Sequence, residues 1–203
     1  MSDELVVLRA LRLKGRAGPD GLSAATGVDE AGVRSILDPL VAGGAAREVN
    51  GFYMLLPAGR ERQNELLHAE RADVDGAAMS DVYEQFTAVN GDFKQLANDW
   101  QMRGDQPNDH SDASYDGEVL SRLPGIHQRV SPVLDAAAGL APRLAVYGTR
   151  LTAALRRVDE GEHEWLLKPL IDSYHTVWFE LHEELISLAG LSREAEALSG
   201  RAE

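Results

Sequence analysis

Residues 22–62 read LSAATGVDEAGVRSILDPLVAGGAAREVNGFYMLLPAGRER, and the fold of the first part of the chain turns on them. Thr26-Gly27-Val28 makes a tight turn, because glycine enters the left-handed region without a Cβ penalty. Asp29 stands where an N-cap belongs, with a short side chain able to accept from the amides of the next turn. Val33, Ile36, Leu37, Leu40 and Val41 follow at the spacing of one buried helical stripe. Gly43-Gly44 ends that helix. Two strand-like runs come next, Ala46 to Val49 and Phe52 to Leu56, joined by Asn50-Gly51. Both central residues of a type I′ turn need positive φ, which Asn and Gly tolerate best, so a hairpin is expected. Pro57 suits the first turn of a further helix.

Upstream, Leu5, Val6, Leu8 and Leu11 give an opening helix one apolar face, ended by Gly15 and Gly18. A short helix from Pro19 carries Leu22 and Ala25. The order helix, helix, turn, helix, hairpin, helix is that of a winged helix-turn-helix domain, here over residues 1–74. Across residues 22–62 the chain resembles MarR-type and related winged-helix transcriptional regulators. Leu56-Pro57-Ala58-Gly59-Arg60 is similar to the segment that follows the wing in that family.

The resemblance implies double-stranded DNA as a partner, with the third helix in the major groove and the wing on the backbone or minor groove. Carried onto this chain, the groove-facing set is Glu30, Ala31, Arg34, Ser35 and Asp38. Arg34 would donate to guanine, and Ser35 would bond a base edge or phosphate. Arg47 flanks the wing, and Arg60 would support the backbone contact. Three features depart from a strong DNA reader: Glu30 and Asp38 are acidic beside the capping Asp29, the wing tip carries no Lys or Arg, and Pro39 removes a backbone donor. Weak, salt-sensitive binding is expected unless a homodimer doubles the contacts. Arg9, Arg12, Lys14 and Arg16 read as a solvated face that complements the helix dipole.

Charge separates the two parts. The 203 residues carry a net charge of −13. Up to Arg71 there are nine Lys and Arg against ten Asp and Glu, and beyond it eleven against twenty-three, so the acidity lies almost wholly in the second part. That part should repel nucleic acid and membrane surfaces. No apolar run approaches the roughly 18 residues that span a bilayer, and the first residues lack a secretory pattern, so a cytoplasmic protein is expected. Zero cysteines exclude disulfides and thiolate metal sites.

Residues 75–203 read as an acidic four-helix bundle. Met79, Val82, Phe86, Val89, Phe93, Leu96 and Trp100 alternate at spacings of three and four, the seam of a packed helix. The polar stretch from Asp105 to Tyr115 reads as a surface loop. Leu120, Leu123, His127, Val130 and Leu134 continue the spacing, with Pro124 and Pro132 expected to break or bend the helix. Pro142 is placed at the start of a third, carrying Leu144, Tyr147, Leu151, Leu155 and Val158. The last carries Leu167, Ile171, Tyr174, Trp178, Leu181, Leu185 and Leu188, with Pro169 marking its first turn. A second stripe on it, Leu170, Val177 and Leu185, suggests that this helix is covered on two sides, and a homodimer seam built from it is expected.

Chemistry-bearing residues are sparse. Asp172 and His175 stand one turn apart and could share a metal, with Phe179 and His182 further along the same face; structural histidines are the preferred reading. His127, on the seam, and His163 are the remaining histidines considered as ligands. The acidic loop Asp105, Asp109, His110, Asp112 and Asp116 lacks the calcium-loop order. There is no nucleophile elbow and no glycine-rich phosphate loop, so neither an enzyme nor a cofactor is expected. Trp100, Tyr174, Trp178 and Phe179 are candidates to line a small-molecule effector pocket, with buried core as the competing role. Residues Tyr174 to Leu185 are similar to a helical segment associated with phosphoenolpyruvate-utilising, dikinase-type proteins, whose phosphohistidine motif is absent. The main expectation is thus a transcriptional regulator. The alternative is an interaction module in which the winged helix docks a protein partner, with a companion of such an enzyme as one form of it.

Overall fold

The computed structural model describes residues 3–191. The chain divides into two compact units, Met1–Asp75 and Gly76–Glu203. It is mainly helical with a small antiparallel hairpin, and among the described residues no helix is long and apolar enough to cross a membrane.

The first unit runs α1 (Asp3–Lys14), α2 (Pro19–Thr26), α3 (Glu30–Ala42), β1 (Ala46–Val49), β2 (Phe52–Leu55) and α4 (Pro57–Asp73). Local chemistry sets each boundary. Gly27 leaves α2 at φ 77°, and the Asp29 carboxylate accepts from the Gly32 amide at 2.7 Å to start α3. Asn50 and Gly51 take φ of 53° and 80°, the type I′ requirement. The register pairs Arg47 with Met54 and Val49 with Phe52. Leu8, Leu11, Leu22, Val33, Leu37 and Tyr53 form the core. Two details differ from expectation. Val7 rather than Val6 is the buried partner of Leu8, and Leu56 leaves the strand to act as N-cap of α4. One pairing has no local signal: Ala17, between α1 and α2, bridges to Tyr53, with backbone hydrogen bonds of 3.2 and 2.9 Å.

Glu4 and Arg62 tie α1 to α4 through two hydrogen bonds of 2.9 Å. The Arg62 hydrogen bond holds the Glu4 carboxyl below its ordinary value. A depressed folded value stabilises the protein above the unfolded carboxylate pKa, and that contribution is lost as pH falls through the folded one. Both side chains are partly exposed, at 44% for Arg62 and 28% for Glu4, so the pair is worth little. Glu4→Gln should cost roughly 0.5 kcal/mol at neutral pH. Urea unfolding should show that deficit disappearing once the pH is below the folded value; a deficit that persists in acid refutes the electrostatic origin.

The second unit runs α5 (Gly76–Gln101), β3 (Met102–Arg103), β4 (Gln106–Pro107), α6 (Ala113–Leu120), α7 (Leu123–Leu140), a 3-10 turn (Pro142–Leu144), α8 (Ala145–Asp159), α9 (Glu164–Leu167) and α10 (Tyr174–Leu188). Every seam residue of α5 from Met79 to Trp100 is buried. α5 packs on α7, α7 on α8, α8 on α10, and α10 back on α5. Where a plain loop was expected, Gly104 at φ 63° turns a two-residue hairpin and Asp112 caps α6. Pro124 sits harmlessly in the first turn of α7, where its missing N–H is not needed, and Pro132 lies within the helix.

The last helix corrects two expectations. It starts at Tyr174, capped by Ser173, and not at Pro169. Leu170 precedes it in a turn at φ 69° and is fully exposed. A residue in that conformation interrupts the helix, so Leu170 shares no stripe with Val177 and Leu185. Both of these are buried within a single chain, and none of Tyr174–Leu188 is exposed. The partly exposed strip of α10 runs instead along His175, Phe179, Glu183 and Ser187.

Candidate functional site

In the first unit Glu30, Ala31, Arg34, Ser35 and Asp38 all lie exposed on α3. Their roles differ from a uniform reading face. Asp38 accepts from the Tyr53 hydroxyl at 2.8 Å, which ties α3 to β2. Burial, then the Asp38 hydrogen bond, raises the Tyr53 phenol above its ordinary value and keeps it a donor. The Ser35 hydroxyl donates to the Gly32 carbonyl at 2.8 Å. Arg34 sits 3.7 Å from Glu30, and both are about half exposed. Such a surface pair is weak enough to exchange for another anion.

The hairpin adds a second surface. Its register puts Arg47, Val49, Phe52 and Met54 on one face. Val49 and Phe52 are 43% and 45% exposed. Arg47 is exposed, as is Arg60 in the first turn of α4. Arg16 is exposed, as a solvated face requires, and its guanidinium lies 4.5 Å over the Phe52 ring, whereas Arg9 of the same cluster is buried. Arg16 reaches the hairpin because its neighbour Ala17 bridges to Tyr53, a long-range pairing that no local pattern signals.

In the second unit the four aromatics proposed as one pocket do not converge. Tyr174 and Trp178 pack with Phe93 at 5.3 and 4.6 Å between ring centres. The Trp178 indole donates to Asn90 at 2.8 Å, and the Tyr174 hydroxyl meets His127 Nδ1 at 3.2 Å. These are core contacts, and Phe179 beside them is half-buried. Trp100 stands seven residues beyond Phe93 on α5, about 10 Å along the axis, and so belongs to a different neighbourhood.

The Asp172 and His175 pairing is also corrected. Asp172 precedes α10, so the two do not share a helical face. Its carboxylate accepts from Arg150 Nε and Nη2 at 2.9 and 3.1 Å. Among the described residues no group of three or more His, Asp or Glu could hold a metal. His182 is a core residue, its Nε2 3.3 Å from the Tyr83 hydroxyl and its ring 5.1 Å from Phe86. Burial lowers the His127 pKa, against the opposing charge of Asp159. The string similar to dikinase-type proteins coincides with α10, and its Tyr174, Val177, Trp178, Leu181, His182 and Leu185 are all buried.

Charged residues that sequence patterns assign to solvent form a buried cluster between α8 and α10. Arg150 donates to Glu180 at 2.7 Å as well as to Asp172, and Arg143 lies 2.8 Å from Glu184. Burial opposes the Arg150 charge, but Glu180 and Asp172 more than offset it and raise its pKa. Tyr147 lies beside them, its phenol pushed well up by burial and then by Glu184 and Glu180. The only sequence trace is the four-residue spacing of Glu180 and Glu184, facing Arg143 and Arg150 seven apart.

A cavity of about 650 Å³ opens at the far end of α5. Trp100, His110, Asp116, His163 and Glu164 line it, with Gly117 among the small residues of α6. Asp116 accepts from Asn108 Nδ2 at 2.8 Å and meets His110 Nδ1 at 3.0 Å. No family model, curated protein or solved structure matches the chain.

Proposed function

We propose that the chain is a DNA-binding transcriptional regulator, a winged helix-turn-helix followed by a four-helix bundle, acting on double-stranded DNA in the cytoplasm as a homodimer. The reading rests above all on one observation: the exposed face of α3 and the exposed hairpin are held together by the Tyr53–Asp38 hydrogen bond of 2.8 Å. A helix and a wing fixed in one frame suit a groove and its flanking backbone. Arg34 and Ser35 serve the groove, Arg47 and Arg16 the wing side, and Arg60 the backbone. The bundle supplies dimerisation and a place for a small ligand.

Binding measured by fluorescence anisotropy on mixed-sequence duplex should fall steeply with salt. Each phosphate contact contributes a slope of about −0.9 in log K against log salt. Arg47→Ala should therefore weaken binding evenly across sequences and reduce the slope by about 1, while Arg34→Ala relaxes sequence preference. No binding at about 50 mM salt rejects this function.

A second reading, a module that docks a protein, is favoured by the exposed Val49 and Phe52. Apolar side chains at a wing tip, beside an α3 whose Asp29, Glu30 and Asp38 outnumber Arg34, fit a protein surface better than a phosphate backbone. A companion role beside a phosphoenolpyruvate-utilising enzyme is one form of it. Indifference to duplex, with binding to a protein lost on Phe52→Ser, selects this reading.

A further inference from the structure

The cavity at the end of α5 has a built interior. Asn108 organises it: its side-chain amide donates to the Trp100 carbonyl at 3.1 Å and to Asp116 at 2.8 Å. Its oxygen accepts the His110 backbone N–H at 3.1 Å. His110 is held in the left-handed region at φ 58°, a conformation rare outside glycine, with its ring 4.5 Å from that of Trp100. Asp116 is largely buried, and His110 Nδ1 lies 3.0 Å from its Oδ2. His163 approaches the Trp100 ring edge-on at 5.8 Å.

The chemistry of the lining is one-sided. Apolar surface comes from Trp100, Ala113 and Leu120, while the polar groups are two imidazoles and the carboxylates of Asp116 and Glu164. No Lys or Arg lines it. Glu164 does pair with Lys168 at 2.7 Å, but both are at least half exposed and the pair is readily exchanged. An occupant with donors and a positive charge, together with an apolar body for the indole, complements this lining. The volume of about 650 Å³ suits a small molecule. The acidic second part of the chain raises the local concentration of cations.

We infer that this cavity is a binding site for a small organic ammonium ion with an aromatic or other apolar body, the ammonium facing Glu164 and Asp116 and the body lying against Trp100. The inference does not rest on what the first unit binds, and it is tested without DNA.

The probe is 2-phenylethylamine, titrated into the full ¹⁵N-labelled chain, with the indole N–H signals of Trp100, Trp165 and Trp178 as reporters. 2-Phenylethanol and phenylacetate at equal ionic strength are the comparators. The amine should shift the Trp100 signal saturably and leave buried Trp178 in place. It should bind about tenfold tighter than the alcohol, as a charge-assisted hydrogen bond from the ammonium to a carboxylate implies. Phenylacetate should leave Trp100 unmoved. Glu164→Gln should weaken the amine several-fold and leave the alcohol unchanged. Gly117→Leu should abolish binding with the fold intact, because a Cβ at Gly117 meets nothing within 4 Å. The site is overturned if the alcohol or the carboxylate binds as tightly as the amine. It is equally overturned if Trp100 stays unmoved at about 10 mM amine, or if Gly117→Leu binds like the parent.

Discussion

Arg150→Met should cost the second unit about 3–5 kcal/mol, the range for breaking a buried charge pair by removing one partner. Arg150 is 6% exposed and Glu180 3% exposed, joined at 2.7 Å. The loss would come less from the missing attraction than from burying the Glu180 carboxylate without the Arg150 charge beside it. Asp172 would be released as well, but it is 29% exposed and can turn to water. The double variant Arg150→Met, Glu180→Leu should therefore recover most of the loss, since a well-packed apolar pair can replace an ion pair at little cost. Urea unfolding of the two variants decides the matter. A single variant within 1 kcal/mol of the parent refutes a tightly coupled pair. For a domain whose whole stability is about 5–15 kcal/mol, the single change is large enough to populate unfolded protein.

Gly59→Ala should destabilise the first unit by about 1–3 kcal/mol, the range for overpacking a close contact. The sign is what makes it diagnostic, because alanine in place of glycine inside a helix ordinarily stabilises by close to 1 kcal/mol. Here the added Cβ would fall well inside contact of the Ala45 carbonyl oxygen, 3.1 Å from its carbon and 3.2 Å from Leu55 Cδ2. That oxygen cannot simply move aside, since it accepts the Leu56 amide at 2.9 Å. The junction between α3 and the hairpin must shift, so duplex binding should weaken along with the thermal midpoint. Gly91→Ala is the control: Gly91 lies exposed in α5 with nothing within 4 Å of its Cβ position, and should gain stability. Equal and opposite behaviour of the two sites supports the close approach; a stabilised Gly59→Ala variant refutes it.

What could be read from the sequence was what neighbours in the chain decide. Asp29 caps α3 because its carboxylate reaches an amide three residues on, and Asn50-Gly51 turns because those two residues accept positive φ. The seam from Met79 to Trp100 was legible because its period matches the helix. What escaped was set by distant partners. Ala17 finds Tyr53 across thirty-six positions, carrying Arg16 to the hairpin. Arg143, Arg150, Glu180 and Glu184 are buried against one another, and apolar periodicity is blind to a charge that finds its counter-charge inside. The start of α10 was misplaced because Pro169 is a plausible first-turn residue, while the actual break depends on Leu170 taking a left-handed conformation. The site residues fared by the same rule: Trp100, His110, Asp116 and His163 were each singled out, but their meeting in one cavity depends on the packing of α5, α6 and α9.

The enclosure of α10 carries one last consequence. A rod packed against three neighbours, with only a partly exposed strip along His175, Phe179, Glu183 and Ser187, has little room to swing. It can still slide or rotate slightly within its sheath, and any such movement must be handed to α5, α8 and α9 at once. A signal arriving anywhere in the second unit would then spread by the neighbours shifting in concert, and would leave through whichever of their outer surfaces meets the next molecule.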